Sequence, residues 1–242
     1  MVLDMVLDYK FLAEANKKYS NADVDTILRW TKDNFGDTFA FTTAFGYSGI
    51  AILHHALKIM PDIKIYFIDT GYHFKESLEF CKYMTKKWNL NLEIIKPDIT
   101  KKELEKKIGK EPYKINADLC CHYCKVEPLL RVLHKHSAWL SGIRRDQSVT
   151  RGGIEVIDID GRGVLKICPM AKWTREQTWD YIKKHNLPYH PLHDKGYQSI
   201  GCKPCTKPVE AGGDERDGRW PDMQKLECGI HLFNNQEKKE YR

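Results

Sequence analysis

Three short apolar runs, each closed by glycine or a polar turn and two of them running on into a helical pattern, set the narrowest limit on how this chain folds. TFAFTTAFGYSG (38–49) is rich in β-branched and aromatic residues and gives way to the apolar IAILHHALKIM (50–60), which reads as strand, tight loop and helix. KIYFIDTG (64–71) repeats the pattern, with a helix from about Lys75 to Trp88, and LNLEIIKP (90–97) supplies a third strand. AWLSGI (138–143) is a fourth. Strands alternating with helices at this spacing specify the α/β class, a mostly parallel sheet with helices on both faces. Such sheets bind ligands at the carboxyl ends of their strands. Three polar turns fall there: Phe45-Gly46-Tyr47-Ser48-Gly49, Asp69-Thr70-Gly71 and Arg144-Arg145-Asp146-Gln147.

The rest of the chain is arranged around that unit. Residues 9–32 carry apolar positions at helical spacing (Phe11, Leu12, Ala15, then Val24, Ile27, Leu28), broken at the cap-like Ser20-Asn21-Ala22-Asp23, so two helices precede the sheet. Residues 1–37 thus form an N-terminal helical segment and 38–220 the main domain. Residues 221–242 form a polar, glycine-containing tail, expected to be mobile. KKELEKKIGK reads as a solvated helix face. No apolar run approaches the roughly 18 residues of a spanning helix, and the start, MVLDMVLDYK, lacks a basic region and a small-residue cleavage site. A cytoplasmic location is expected, with no membrane partner.

In that compartment the eight cysteines are not a disulfide framework, because the redox pool keeps ordinary thiols reduced; metal binding or catalysis remains. The net charge of +6 suits an anionic partner, and its spread along the chain favours a small anion over nucleic acid. Thr42, Thr43, Gly46, Ser48 and Gly49 offer hydroxyls and backbone amides where a helix begins, a site attractive to anions. The loop is neither the Walker pattern nor G-x-G-x-x-G. Arg144, Arg145 and Arg151 near another strand end strengthen the case for a phosphate- or sulfate-bearing ligand.

Four cysteines come as two pairs, Cys120-Cys121 and Cys202-x-x-Cys205, with 80 residues between them. The second pair, flanked by Gly201 and Pro204, is a metal-ligand knuckle that needs another pair to close a four-sulfur shell. Adjacent cysteines strain a single tetrahedral zinc, whereas an iron–sulfur cluster spreads its ligation over several irons, so a cluster is favoured over zinc. Cys81, Cys124 and Cys168 read as buried thiols, with Cys124 close enough to the first pair to be an alternative ligand.

IDTGYHFKES, CCHYCKVEPLLRVL, WLSGIRRDQSVTR, the block from CPMAKWTREQTW to GDERDGRW, and the closing ECGIH together resemble the assimilatory adenylyl-sulfate and phosphoadenylyl-sulfate reductases, from about Thr38 to His231. The resemblance implies an adenine-nucleotide α-hydrolase-like fold and thiol-dependent reduction of an activated sulfate (APS or PAPS) to sulfite. It also implies thioredoxin or glutaredoxin as reductant and, from the paired cysteines of one branch, a [4Fe-4S] cluster. The ligands fall on Cys120, Cys121, Cys202 and Cys205, and the nucleophile on Cys228. Substrate contacts fall on Lys125, Arg144, Arg145, Arg216 and Arg219, with Arg151, His231, Thr43, Phe45, Gly46, Ser48, Asp69, Thr70 and Gly71 completing the expected set. The expected partners are the nucleotide, the reductant and further copies of the chain as a homo-oligomer.

Two departures stand out. Cys124 and Cys168 occupy positions where relatives usually lack a thiol. The first loop also lacks the acidic pair that many cluster-bearing relatives place after the glycine. Those relatives mostly take the substrate without a 3′-phosphate, whereas a loop without carboxylates tilts the expectation toward the 3′-phosphorylated nucleotide. The rival readings are an ATP-dependent ligase or RNA sulfur-transferase of the same fold, which would show a Ser-Gly-Gly-x-Asp-Ser type loop, and a zinc module that binds nucleic acid.

Overall fold

The computed structural model describes residues 9–210, 212–221 and 223–231, so the expected N-terminal segment and tail extend at 1–8 and 232–242 outside the described residues. Helices α1 (Tyr9–Tyr19) and α2 (Val24–Phe35) come first, as the spacing predicts. Asp23 caps α2, its Oδ1 accepting from the Thr26 amide at 2.8 Å.

Six strands, β1 (Phe39–Thr42), β2 (Ile65–Ile68), β3 (Leu92–Ile95), β4 (Ala138–Leu140), β5 (Ile157–Ile159) and β6 (Leu165–Ile167), form one sheet in the order β3-β2-β1-β4-β6-β5. Every neighbouring pair is parallel except β5 with β6. Successive residues serve opposite faces, as a pleated strand requires. Phe39, Phe41, Ile65, Phe67, Ala138 and Leu140 enter the larger core with α2, α3 (Tyr47–Ile59), α4 (Lys75–Trp88) and α9 (Arg175–Lys184). Ala40, Tyr66 and Trp139 between them face α8 (Glu127–Leu133). The sheet is therefore covered on both faces, the expected class. The remaining helices, α5 (Lys101–Ile108), α6 (Pro112–Ile115) and α7 (Ala117–Cys121), lead from β3 to the cysteines.

The strand order reverses between β1 and β4, so the loops leaving these two strands part and open a cleft. Gly142 keeps the β4 loop close to α3: a β-carbon there would lie 3.0 Å from the Ile52 side chain and 3.3 Å from the Ser48 carbonyl. Two elements go beyond the sequence reading. The β5–β6 hairpin consists of three-residue strands carrying charges, which hide the alternation, and α9 is a polar helix whose boundary is set by a Thr174–Gln177 capping box. Among the described residues no helix is long and apolar enough to cross a membrane.

Candidate active site

The loop after β1 is shaped by Arg144, which is fully buried. Its guanidinium donates to Glu215 (2.6 Å), to the Tyr47 hydroxyl (2.8 Å) and to Asp146 (2.9 Å), and also to the Ser48 hydroxyl. The Tyr47 hydroxyl in turn donates to Glu215 at 2.5 Å. A buried charge survives only when paired, so this arginine fixes the first turn of α3. Arg145 donates to Glu155 at 2.9 Å and to the Ile154 carbonyl. Neither of these two expected substrate residues lines the cleft. Three more stand back from it: Phe45 packs against Phe67, and Asp69 accepts from the Gly71 amide at 3.0 Å, which makes their segment a local turn.

The other expected residues do meet. Thr43, Gly46 and Ser48 supply one wall of the cleft and Thr70 another, while Lys125, Arg151, Arg216 and Arg219 bring four cations from three separate segments. Cys228 and His231 close it from the tail. The cleft also contains residues that the sequence reading did not single out. Glu215 lines it beside Tyr47. His193 lines it too, with its Nδ1 2.7 Å from the Tyr197 carbonyl and its buried Nε2 without a hydrogen-bond partner. A carbonyl only accepts, so the proton sits on Nδ1 and Nε2 keeps a lone pair. Burial holds the His193 pKa below the usual histidine range, which keeps the ring neutral. Its signal in the sequence was faint, one histidine among several in PYHPLHDKGY.

The described part of the tail, expected to be loose, lies down over this cleft. Cys228 is partly buried against the group formed by Cys121, Cys202, Cys205 and Trp220. Burial alone would raise its pKa, but Lys125, the Ile230 amide and Arg219 outweigh burial, and the net shift is downward. Lys125 itself is buried, and the sulfurs of Cys202, Cys228 and Cys121 overcome the cost of burial and keep it charged. The His231 ring stacks on Trp139 with centroids 5.0 Å apart and planes 10° from parallel. Burial, with Lys166 and Arg151 nearby, drives its pKa well down, so His231 is neutral and adds no cation.

Next to the cleft, Cys120, Cys121, Cys202 and Cys205 line one small cavity with Tyr72 and Tyr113, and Cys124 joins them. All are buried free thiols. A π-type turn over His122–Val126 between α7 and α8 brings Cys124 and Lys125 to the same side as the Cys120-Cys121 pair; such turns recur at functional sites. Among the described residues no three His, Cys, Asp or Glu side chains converge closely enough to hold a single metal ion. The thiols instead ring a cavity, a donor set suited to a group with several metals and sulfides. Cys81 and Cys168 are buried elsewhere in the main core, as expected.

A mostly parallel sheet with its cleft at the switch point, lined with cations and closed by a thiol, defines an α/β protein of the adenine-nucleotide α-hydrolase-like fold. The profile of the phosphoadenosine phosphosulfate reductase domain matches residues 38–208, and the chain belongs to that family. It is 39% identical to the adenosine 5′-phosphosulfate reductase of Halalkalibacterium halodurans over 90% of this chain and 95% of the relative. It is 41% identical to the adenosine 5′-phosphosulfate reductase of Staphylococcus haemolyticus over 85% and 86%. Among solved structures it is similar to the phosphoadenylyl-sulfate reductase of Candida auris in a phosphate complex, with a TM-score of 0.72 and 30% identity, covering 83% of this chain and 97% of that one. The FMN adenylyltransferase of Candida glabrata, at 16% identity and a TM-score of 0.59 over 89% and 77%, shares the fold.

Proposed function

We propose that this chain reduces an adenylyl-sulfate nucleotide to sulfite in sulfate assimilation, with Cys228 as the nucleophile. The observation that carries this reading is the seat of Cys228 in the cleft, with Lys125 and Arg219 lowering its pKa where a phosphosulfate anion would lie. The Cys228 thiolate attacks the sulfur of the sulfonate group, the sulfur–oxygen bond to phosphate breaks, and the nucleoside phosphate leaves with the bonding electrons. A dithiol reductant of the thioredoxin or glutaredoxin class then attacks the Cys228 sulfur of the thiosulfonate. Sulfite departs, and the reductant's second thiol resolves the mixed disulfide. The dithiol supplies two electrons and ends as a disulfide, which balances the reaction.

Lys125, Arg216 and Arg219 serve this sequence by neutralising the phosphosulfate, which otherwise repels a thiolate. The amides at the start of α3 and the Ser48 hydroxyl suit a phosphate oxygen, while the His193 lone pair accepts from a hydroxyl or amino group of the nucleotide. Cys120, Cys121, Cys202 and Cys205 would hold an iron–sulfur cluster. When bound, the cluster would add fixed charge beside Lys125 and tie the loop at Cys202 to α7.

An anaerobic assay of sulfite release from adenosine 5′-phosphosulfate and its 3′-phosphorylated form tests the reading. Wild-type protein releases sulfite only with a dithiol present, and Cys228→Ser releases none while binding nucleotide within about threefold of wild type, because a hydroxyl is a far weaker nucleophile at neutral pH. Sulfite release by Cys228→Ser at the native rate would exclude the mechanism.

A further inference from the structure

The residue before the nucleophile is held more firmly than the nucleophile itself. Arg151 grips Glu227 through two hydrogen bonds of 2.9 Å, Nε to Oε1 and Nη2 to Oε2. Thr150 donates to Oε1 at 3.0 Å, and Arg216 donates to Oε2 at 3.0 Å and to the Leu226 carbonyl at 2.7 Å. The third nitrogen of Arg151 donates to Gln147 at 2.6 Å, so each of its nitrogens is committed to the protein while the tail is down. Arg216 keeps its buried Nε without a partner.

We infer that Glu227 is a positioning residue whose clasp by Arg151 and Arg216 docks the tail and sets Cys228 in the cleft, and that Arg151 serves chiefly as the tail's receptor, leaving the substrate anion to Lys125, Arg216 and Arg219. Cys228 lies between two anchors. Glu227 is the one before it. After it, Arg162 donates to the Ile230 carbonyl at 2.5 Å and His231 stacks on Trp139. The two anchors differ in kind, since the first is a bidentate ion pair and the second a single arginine–carbonyl hydrogen bond with a ring stack. An enzyme whose one sulfur must meet a nucleotide and then a protein thiol needs a tail that docks and releases, and a clasp of this type gives two discrete states. In this sense the inference rests on the reading of Cys228 as nucleophile. The clasp itself is a property of the substrate-free protein and is measured without turnover.

The experiment is the rate of Cys228 alkylation by iodoacetamide in anaerobically purified, full-length protein, followed by mass spectrometry of the tail peptide across pH. Removing Glu227 also removes a negative charge near the thiol, which shifts the midpoint of the pH profile but not its alkaline plateau. Release of the tail raises the plateau. Glu227→Ala is expected to raise it about tenfold, and Glu227→Asp, which keeps the charge but shortens the reach, by less. Arg151→Gln is expected to raise the plateau as Glu227→Ala does while changing AMP affinity less than about threefold. An unchanged plateau in Glu227→Ala, or an Arg151→Gln protein that loses AMP affinity with its plateau intact, overturns the inference. Failure of wild-type protein to release sulfite would bear on the proposed reaction alone, because the alkylation arm stands without it.

Discussion

The Thr70 hydroxyl lies 3.3 Å from the Cys202 sulfur, joining the wall of the nucleotide cleft to the ring of cysteines. The same hydroxyl accepts from the Tyr72 amide at 3.2 Å, so its own proton is free to point at sulfur. A hydrogen bond to a ligating sulfur stabilises the more negative, reduced state of a cluster. Thr70→Val keeps the shape and removes the proton, at a cost of about 1 kcal/mol for one such bond. The expected result is a lower cluster reduction potential and faster loss of iron to a chelator, with sulfite release retained. Iron loss and potential identical to wild type would show that the contact carries no weight.

The cysteine ring makes a second expectation specific. Cys202 and Cys205 bracket a tight turn that packs against Ala117 and Cys121 of α7, so replacing either with alanine is expected to lower iron content, colour and thermal stability together. Cys124 lies beside Cys120 within the same cavity, yet the four paired thiols already complete a ligand set. Cys124→Ala is therefore expected to keep its iron, about four per chain by colorimetric assay of anaerobic protein. Iron loss in Cys124→Ala would move the ligand assignment to that thiol.

His190 gives the protein a pH limit unrelated to catalysis. It is buried, its Nδ1 accepts from the Leu192 amide at 3.2 Å, and its Nε2 therefore carries the proton donated to Ser77 at 2.9 Å. Protonation would turn Nδ1 into a donor facing a donor. Burial, reinforced by His193, depresses its pKa to about 4 against 6.5 for an ordinary histidine. A depressed pKa means that the unfolded chain binds the proton first. The stabilising contribution is complete above pH 6.5 and is lost as pH falls toward 4. His190→Gln is expected to be less stable at neutral pH and to show a shallower loss of stability across that window in urea titrations. A slope equal to wild type would assign the pH dependence to other groups.

What the sequence disclosed and what it hid divide along one physical line. Strands β1, β2 and β4 and the turn at Gly46 were legible because a strand buried on both faces is a continuous apolar run and its closing glycine is local, while the edge strand β3 was legible from its short apolar run alone. Cys228, Lys125 and the cysteine pairs were legible as motifs. The role of Arg144 was not, because its partners Glu215 and Tyr47 stand 71 and 97 positions away. An arginine at a strand end reads the same whether it faces an anion or a buried carboxylate. The docking of the tail was hidden for the same reason, since the clasp of Glu227 by Arg151 spans 76 positions. Composition suggested a loose tail, and the ion pairs that hold it down leave no local pattern.

Substrate choice is expected to turn on Glu215. The first loop brings no carboxylate of its own, which by itself favours a nucleotide with an added 3′-phosphate. The fold returns a carboxylate to that place, because Glu215 accepts from the Tyr47 hydroxyl and lines the cleft. The His193 lone pair near the Tyr47 ring adds a second acceptor, suited to a hydroxyl and unsuited to a phosphate. Arg144, 2.6 Å from Glu215, cancels much of the repulsion, so the barrier is a partial one. The expected outcome is that both nucleotides are reduced, with adenosine 5′-phosphosulfate preferred in kcat/KM by less than about a hundredfold. His193→Phe, which removes the acceptor and keeps an aromatic ring, is expected to narrow that ratio. The measurement is a pair of kcat/KM values for each protein; a preference for the 3′-phosphorylated substrate in wild type, or a ratio untouched in His193→Phe, would show that discrimination lies away from this corner of the cleft.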